Sequence, residues 1–137
     1  MNTQVLRIAS LATLLIAGAW AQLAHPLVVD VPFDFNAGKT SLAAGEYQVK
    51  MQQPGVLRIT TIDGKHAAMI LTGSTVSNKP QAEPRLMFNR YGNRYFLSQV
   101  WSAGGQTGVE LPKTSAEVEI AKQINDRQDT AVVARKR

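Results

Sequence analysis

At 137 residues the chain has room for one domain and not for two. Its 45% hydrophobic and 18% charged residues exclude wholesale disorder. The formal charge of +5 is largely terminal: Arg7 and the tail Arg135-Lys136-Arg137 supply four of the 15 basic residues, and the stretch between them stands near neutrality. Such a distribution argues against nucleic acid as a partner, because the body of the chain offers no basic stripe.

The N-terminus differs in kind from the rest. Met1–Arg7 carries one positive charge, Ile8–Ala21 (IASLATLLIAGAWA) carries none, and Ala19-Trp20-Ala21 is a small-x-small cleavage pattern. The run is shorter than the ~20 apolar residues that span a bilayer. Residues 1–21 therefore read as a signal peptide, with a mature chain that starts at Gln22, lies in the periplasm or outside the cell, and keeps no membrane span. Cysteine is absent from the whole sequence, so neither disulfides nor thiolate metal sites enter, and the exported domain must rest on its apolar core.

Val28–Phe35 (VVDVPFDF) alternates, with Val29, Val31, Phe33 and Phe35 on one face and Val28, Asp30, Pro32 and Asp34 on the other. Pro32 cannot donate to a ladder and predicts an edge or first strand. Asp30 and Asp34 share a face but lie ~13 Å apart along an extended strand. That is wider than the roughly 5–9.5 Å of a glycosidase carboxylate pair. Asn36–Gly45 reads as a loop. Glu46–Met51 is the next strand, with Tyr47, Val49 and Met51 inward, and Pro54-Gly55 suits a type II turn. Val56–Ile62 places Leu57, Ile59 and Thr61 on one face, and Asp63-Gly64 predicts a two-residue hairpin. Lys65–Thr72 is apolar on both faces (Ala67, Ala68, Met69, Ile70, Leu71) and predicts a central, doubly covered strand. Gly73–Pro84 is polar, holds two prolines and predicts a long surface connection.

The organising stretch is Pro84–Pro112, with Phe88, Tyr91, Tyr95, Phe96 and Trp101 around a Gly92-Asn93 turn. A two-residue turn sets Tyr91 opposite Arg94, Phe88 opposite Leu97 and Leu86 opposite Gln99. One face then collects Leu86, Phe88, Tyr95, Leu97 and Trp101 as core. The other collects Met87, Tyr91, Phe96 and Val100 among Arg85, Asn89, Arg94 and Ser98. This second face is too apolar to stand bare, so either a helix covers it or Met87, Tyr91, Arg94, Phe96 and Val100 form an interaction surface. The cover is at hand: Thr114-Ser-Ala-Glu117 is a capping box, and Ala116, Ile120, Gln123 and Ile124, with Val118 and Ala121, give a helical stripe. The helix ends at Asn125-Asp126 or runs on towards Val133, and residues 126–137 are read as helix end and basic tail.

Residues 22–125 thus form an all-β domain, a small antiparallel barrel or sandwich of about seven strands with one C-terminal helix. His25 and His66 are the two histidines, and no metal-ligand spacing, G-x-S-x-G elbow, H-E-x-x-H motif or phosphate loop is present. No catalytic residue, cofactor or metal is assigned. Gly104-Gly105 reads as a turn rather than an anion nest. VDVPFDF, the L-x-A-G-E-Y-x-V segment at Leu42–Val49 and RYGNRYFLSQVW at Arg90–Trp101 resemble a group of small exported bacterial proteins of unknown function, abundant in acidobacteria. The resemblance runs from Val29 to about Ala121 and implies export and a β domain; Ala43 stands where that group has proline. The expected function is a secreted or periplasmic, non-catalytic β domain that binds an envelope component or a small ligand. A carrier with an apolar ligand inside a calycin-like barrel is the first alternative. A hydrolase acting on cell wall or polysaccharide is the second.

Overall fold

The computed structural model describes residues 26–125 and 127–133, so the signal-peptide reading and His25 fall outside the described residues. The domain is an antiparallel β sandwich with one helix. Eleven strands are found among the described residues: β1 Leu27–Val31, β2 Phe35–Ala37, β3 Thr40–Leu42, β4 Gly45–Gln53, β5 Val56–Thr61, β6 Ala67–Leu71, β7 Gly73–Val76, β8 Arg85–Tyr91, β9 Arg94–Trp101, β10 Thr107–Glu110 and β11 Arg127–Val133. The helix α1 spans Ser115–Gln123. One sheet runs β1-β4-β5-β6 and the other β11-β8-β9-β10-β7, with the β2–β3 hairpin beside the N-terminal half of β9. The excess over the expected seven comes from the short β2, β3 and β7, which a period-2 pattern hardly registers, and from β11, whose residues were expected as helix end and tail.

The first strand does not run through to Phe35. It stops at Val31, on the edge of the first sheet, and Phe35 begins β2 in the second sheet. Pro32 sits in that crossover, where no ladder N–H is needed. Asp34 takes up the bend by accepting the Ala44 N–H at 2.8 Å. The expected loop after it is the β2–β3 hairpin, turning at Gly38 with φ +60°. Val28, expected outside, is buried as well.

β4 and β5 pair as their alternation dictates, Val49 opposite Ile59 and Met51 opposite Leu57, around Pro54-Gly55 with Gly55 at φ +80°. The next connection is longer than the Asp63-Gly64 signature predicts. Thr61 closes it against the His66 carbonyl, leaving four loop residues. The Asp63 carboxylate accepts from Thr61 Oγ1 (2.6 Å) and Lys65 N (2.9 Å), so the loop has its own local scaffold.

β6 is an edge strand, not a central one. Ala68 and Ile70 point into the sandwich, while Met69 and Leu71 are 62% and 75% exposed. Uniform hydrophobicity therefore misled, because the residues that alternate are all apolar. The expected long connection after it is also partly strand: β7 pairs with β10 as the end of the second sheet. Leu71→Lys should accordingly change stability by no more than about 0.5 kcal/mol, as exposed positions do. Denaturant titration checks this, and a loss of several kcal/mol would mean that the outer face of β6 is covered.

The space between the sheets is filled by side chains from both, among them Val29, Val49, Leu57, Ile59, Phe88 and Val100 at 0–1% exposure. Aromatic rings organise one end: Phe35 meets Tyr47 and Phe88 edge-on at 5.3 and 5.4 Å, and Phe33 stacks on Tyr95 at 3.7 Å.

Candidate functional site

The site lies on the outer face of the second sheet, and the register of the β8–β9 hairpin decides which residues reach it. From the turn inward the pairing is the one expected: Tyr91–Arg94, Arg90–Tyr95, Asn89–Phe96, Phe88–Leu97. Then the register shifts. Met87 faces Gln99, Leu86 faces Val100 and Arg85 faces Trp101, so β9 carries one extra residue at Ser98. The Ser98 hydroxyl donates to the Met87 carbonyl at 3.0 Å, and the Ser98 carbonyl accepts the Leu111 N–H at 2.9 Å.

The bulge exchanges two residues. Val100, expected on the outer face, is fully buried in the sandwich core. Trp101, expected in that core, packs on the outer side, its indole N–H donating to Gln99 Oε1 at 3.0 Å. Its ring lies so close to Gly108 that a Cβ there would stand 2.7–2.9 Å from ring carbons, so only glycine fits that position of β10.

Of the residues expected to form an interaction surface, Val100 is thus core, and Tyr91 and Phe96 are buried with their rings in edge-on contact at 5.9 Å. Met87 is half-buried, and Arg94 is exposed with its guanidinium over the Phe96 ring at 5.7 Å. The arginines divide as the register requires: Arg90 lies over Tyr95 at 5.4 Å and donates to the Gly92 carbonyl.

Two covers flank this face, and each is held by a buried polar side chain. Gln81, Asn89 and Glu117 are the buried polar residues among those described, and all three serve here. At the turn end lies α1. Its cap forms as the sequence reads, Thr114 Oγ1 accepting the Glu117 N–H at 3.2 Å. The second half of the capping box takes a different form: the Glu117 carboxylate faces the sheet, where Oε1 accepts from Asn89 Nδ2 at 2.8 Å and Tyr91 Oη at 3.1 Å. The apolar stripe contributes less. Ile120 and Ala121 are half-buried, Ala116, Val118 and Ile124 are exposed, and Glu117 alone is fully buried. The helix stops at Gln123, and the chain does not continue as helix towards Val133: Arg127–Val133 is β11, paired along the whole of β8. At the other end the Ser77–Glu83 segment covers Arg85 through Gln81.

Between the covers an open cleft of about 540 Å³ remains. Met87, Ser98 and Gln99 floor it, Leu111, Pro112 and Lys113 lead over it into the helix, and Glu110 and Asp129 bring carboxylates to its sides. Two acidic and two basic side chains (Lys113 and Arg127) balance there. With its amides and the Ser98 hydroxyl, the cleft presents a mixed hydrogen-bonding surface around a small apolar floor.

Electrostatics set one further property. Burial, reinforced by the Glu117 carboxylate beside it, raises the Tyr91 phenol above its ordinary value. A raised folded-state value means that the unfolded chain loses this proton first. The contribution to stability is therefore complete below about pH 10, where an unfolded tyrosine titrates, and falls as pH rises beyond it. Above about pH 10 the urea midpoint should drop, and Tyr91→Phe should flatten part of that drop. An identical drop in both chains would assign the alkaline loss elsewhere, with Tyr47, also raised by burial, the next group to examine.

Among the described residues no cluster of three or more His, Cys, Asp or Glu side chains is arranged to hold a metal ion, and no helix is long and apolar enough to cross a membrane. Comparison with protein-family models, curated proteins and solved structures finds no match to this chain.

Proposed function

We propose that this chain is an exported, non-catalytic β domain that binds a component of the cell envelope through the cleft on the outer face of its second sheet. One observation carries the reading: this face is covered at both ends by dedicated segments and left open between them over Met87, Ser98 and Gln99. A face left uncovered only by default would lack the two buried polar anchors that fix its borders. The balanced charge of the lining suits a polar partner without strong net charge, and the signal-like N-terminus supports a partner beyond the inner membrane. The filled space between the sheets favours this surface over an apolar ligand inside.

The test uses the chain secreted from its own N-terminal segment. The mature protein should begin at Gln22 and co-sediment with purified peptidoglycan sacculi or outer-membrane vesicles. Glu110→Trp, which projects an indole into the cleft from an exposed position, should abolish co-sedimentation while the chain stays folded. Binding that survives Glu110→Trp would remove the cleft from the mechanism. A secreted chain that retains Met1 would remove the proposed route of export.

A further inference from the structure

A second pocket lies at the far end of the same sheet face, under the Ser77–Glu83 segment. Its volume is about 540 Å³, and Ser77, Lys79, Gln81, Glu83 and Arg85 line it together with Val133. The segment is pinned to the turn after β9. Ser77 N donates to the Gln106 carbonyl (2.7 Å), Gln81 N to the Gly105 carbonyl (3.0 Å), and Gly104 N to the Gln81 carbonyl (2.7 Å). The glycine turn thus spends its backbone groups on holding this segment. The buried Gln81 amide donates to Ser77 Oγ (3.0 Å) and accepts from Arg85 Nη2.

Arg85 is the anomaly. It is half-buried and forms no ion pair among the described residues. Its Nε is the one buried side-chain nitrogen or oxygen among them without a hydrogen-bond partner. A partly buried guanidinium without a counter-charge is costly, and its unmet buried Nε–H adds to that cost. Gln81 fixes the group from one side, so its plane is set before any ligand arrives. Lys79 adds a second cation on the exposed side, and Glu83 is the single carboxylate of the lining. A forked donor oriented by Gln81, without an ion pair and backed by a second cation, matches an oxyanion.

We infer that this pocket is an oxyanion site, in which Arg85, oriented by Gln81, and Lys79 bind a carboxylate or phosphate group of a ligand. It is separate from the central cleft, so its fate does not depend on the envelope partner proposed above.

Two-dimensional NMR of the mature chain at low salt tests it, with inorganic phosphate and D-galacturonate as probes and D-galactose as the uncharged control. Saturable shifts should centre on Lys79, Gln81 and Arg85 with a charged probe and be absent with galactose. Phosphate alone, galacturonate alone, or both shifting these residues would each support the site and identify the source of the oxyanion. Arg85→Gln should weaken binding by about tenfold or more, the loss expected for a charge-assisted hydrogen bond. Lys79→Gln, at an exposed position that folding does not need, should weaken it by a smaller factor. Affinity unchanged in Lys79→Gln would overturn the site as described, even if Arg85→Gln failed to fold. Absence of saturable shifts with both charged probes would leave Arg85 a structural residue and overturn the inference outright.

Discussion

Val100→Asp should destabilise the domain by about 3–5 kcal/mol, a large share of the roughly 5–15 kcal/mol that a domain of this size commands. Val100 is fully buried between the sheets, so the substitution places a carboxylate among Leu86, Val109 and the rest of the core with no partner. The expectation discriminates between two registers. In an uninterrupted β8–β9 ladder Val100 would point outward beside Met87, and an aspartate there would cost about 0.5 kcal/mol or less. The extra residue at Ser98 makes the difference, because one added residue reverses every side chain beyond it. Circular dichroism and urea titration of the purified variant read the result. A variant as stable as the parent chain would show that the ladder runs without the bulge.

The second large effect concerns a single carboxylate. Glu117→Ala should cost about 2–4 kcal/mol, because it leaves Asn89 Nδ2 and Tyr91 Oη in a buried site without an acceptor, each worth about 1–3 kcal/mol. It should also free the helix. Nine residues make a helix too short to persist alone, and the stripe that ought to hold it is mostly exposed. Glu117→Gln keeps the length and one acceptor oxygen and should cost clearly less, since it weakens charge-assisted bonds without removing both. Hydrogen exchange supplies the local readout: protection of Ser115–Gln123 should fall in Glu117→Ala before the strands are affected. If that protection persisted, packing of Ile120 and Ala121 would be holding the helix, and Glu117 would be incidental.

These two residues also show where sequence reasoning reaches its limit. The capping pattern from Thr114 to Glu117 correctly marks where the helix starts, because a cap is a contact between neighbours. It cannot show that Glu117 turns from its own cap to the sheet, since Asn89 and Tyr91 lie 28 and 26 residues away. Nor does the polar identity of Asn89 single it out, because Arg85, Arg94 and Ser98 share its face of the hairpin. The cleft itself was half legible. Its floor belongs to the face recognised as anomalous, but two of the aromatic residues that drew attention to that face, Tyr91 and Phe96, lie buried rather than in the cleft. The Gln81–Arg85 pair was not legible at all, because a polar, proline-containing stretch reads as a loop whether or not it holds anything.

What the sequence determined by itself is whatever depends on neighbours along the chain: the alternation of β4 and β5, the Pro54-Gly55 and Gly92-Asn93 turns, the Thr114 cap, and from these the all-β class. Tertiary structure alone decided which strands lie at edges, so that an unbroken apolar run became the exposed border β6, and it decided that the C-terminal segment closes the second sheet as β11. It alone placed the bulge at Ser98 as well. The aromatic hairpin was set in register by its turn over the first four pairs, and beyond them the competing demands of the core and of β10 exchanged Val100 for Trp101. A turn fixes pairing through a few bonds, whereas a bulge is chosen by everything that packs on either side of the strand.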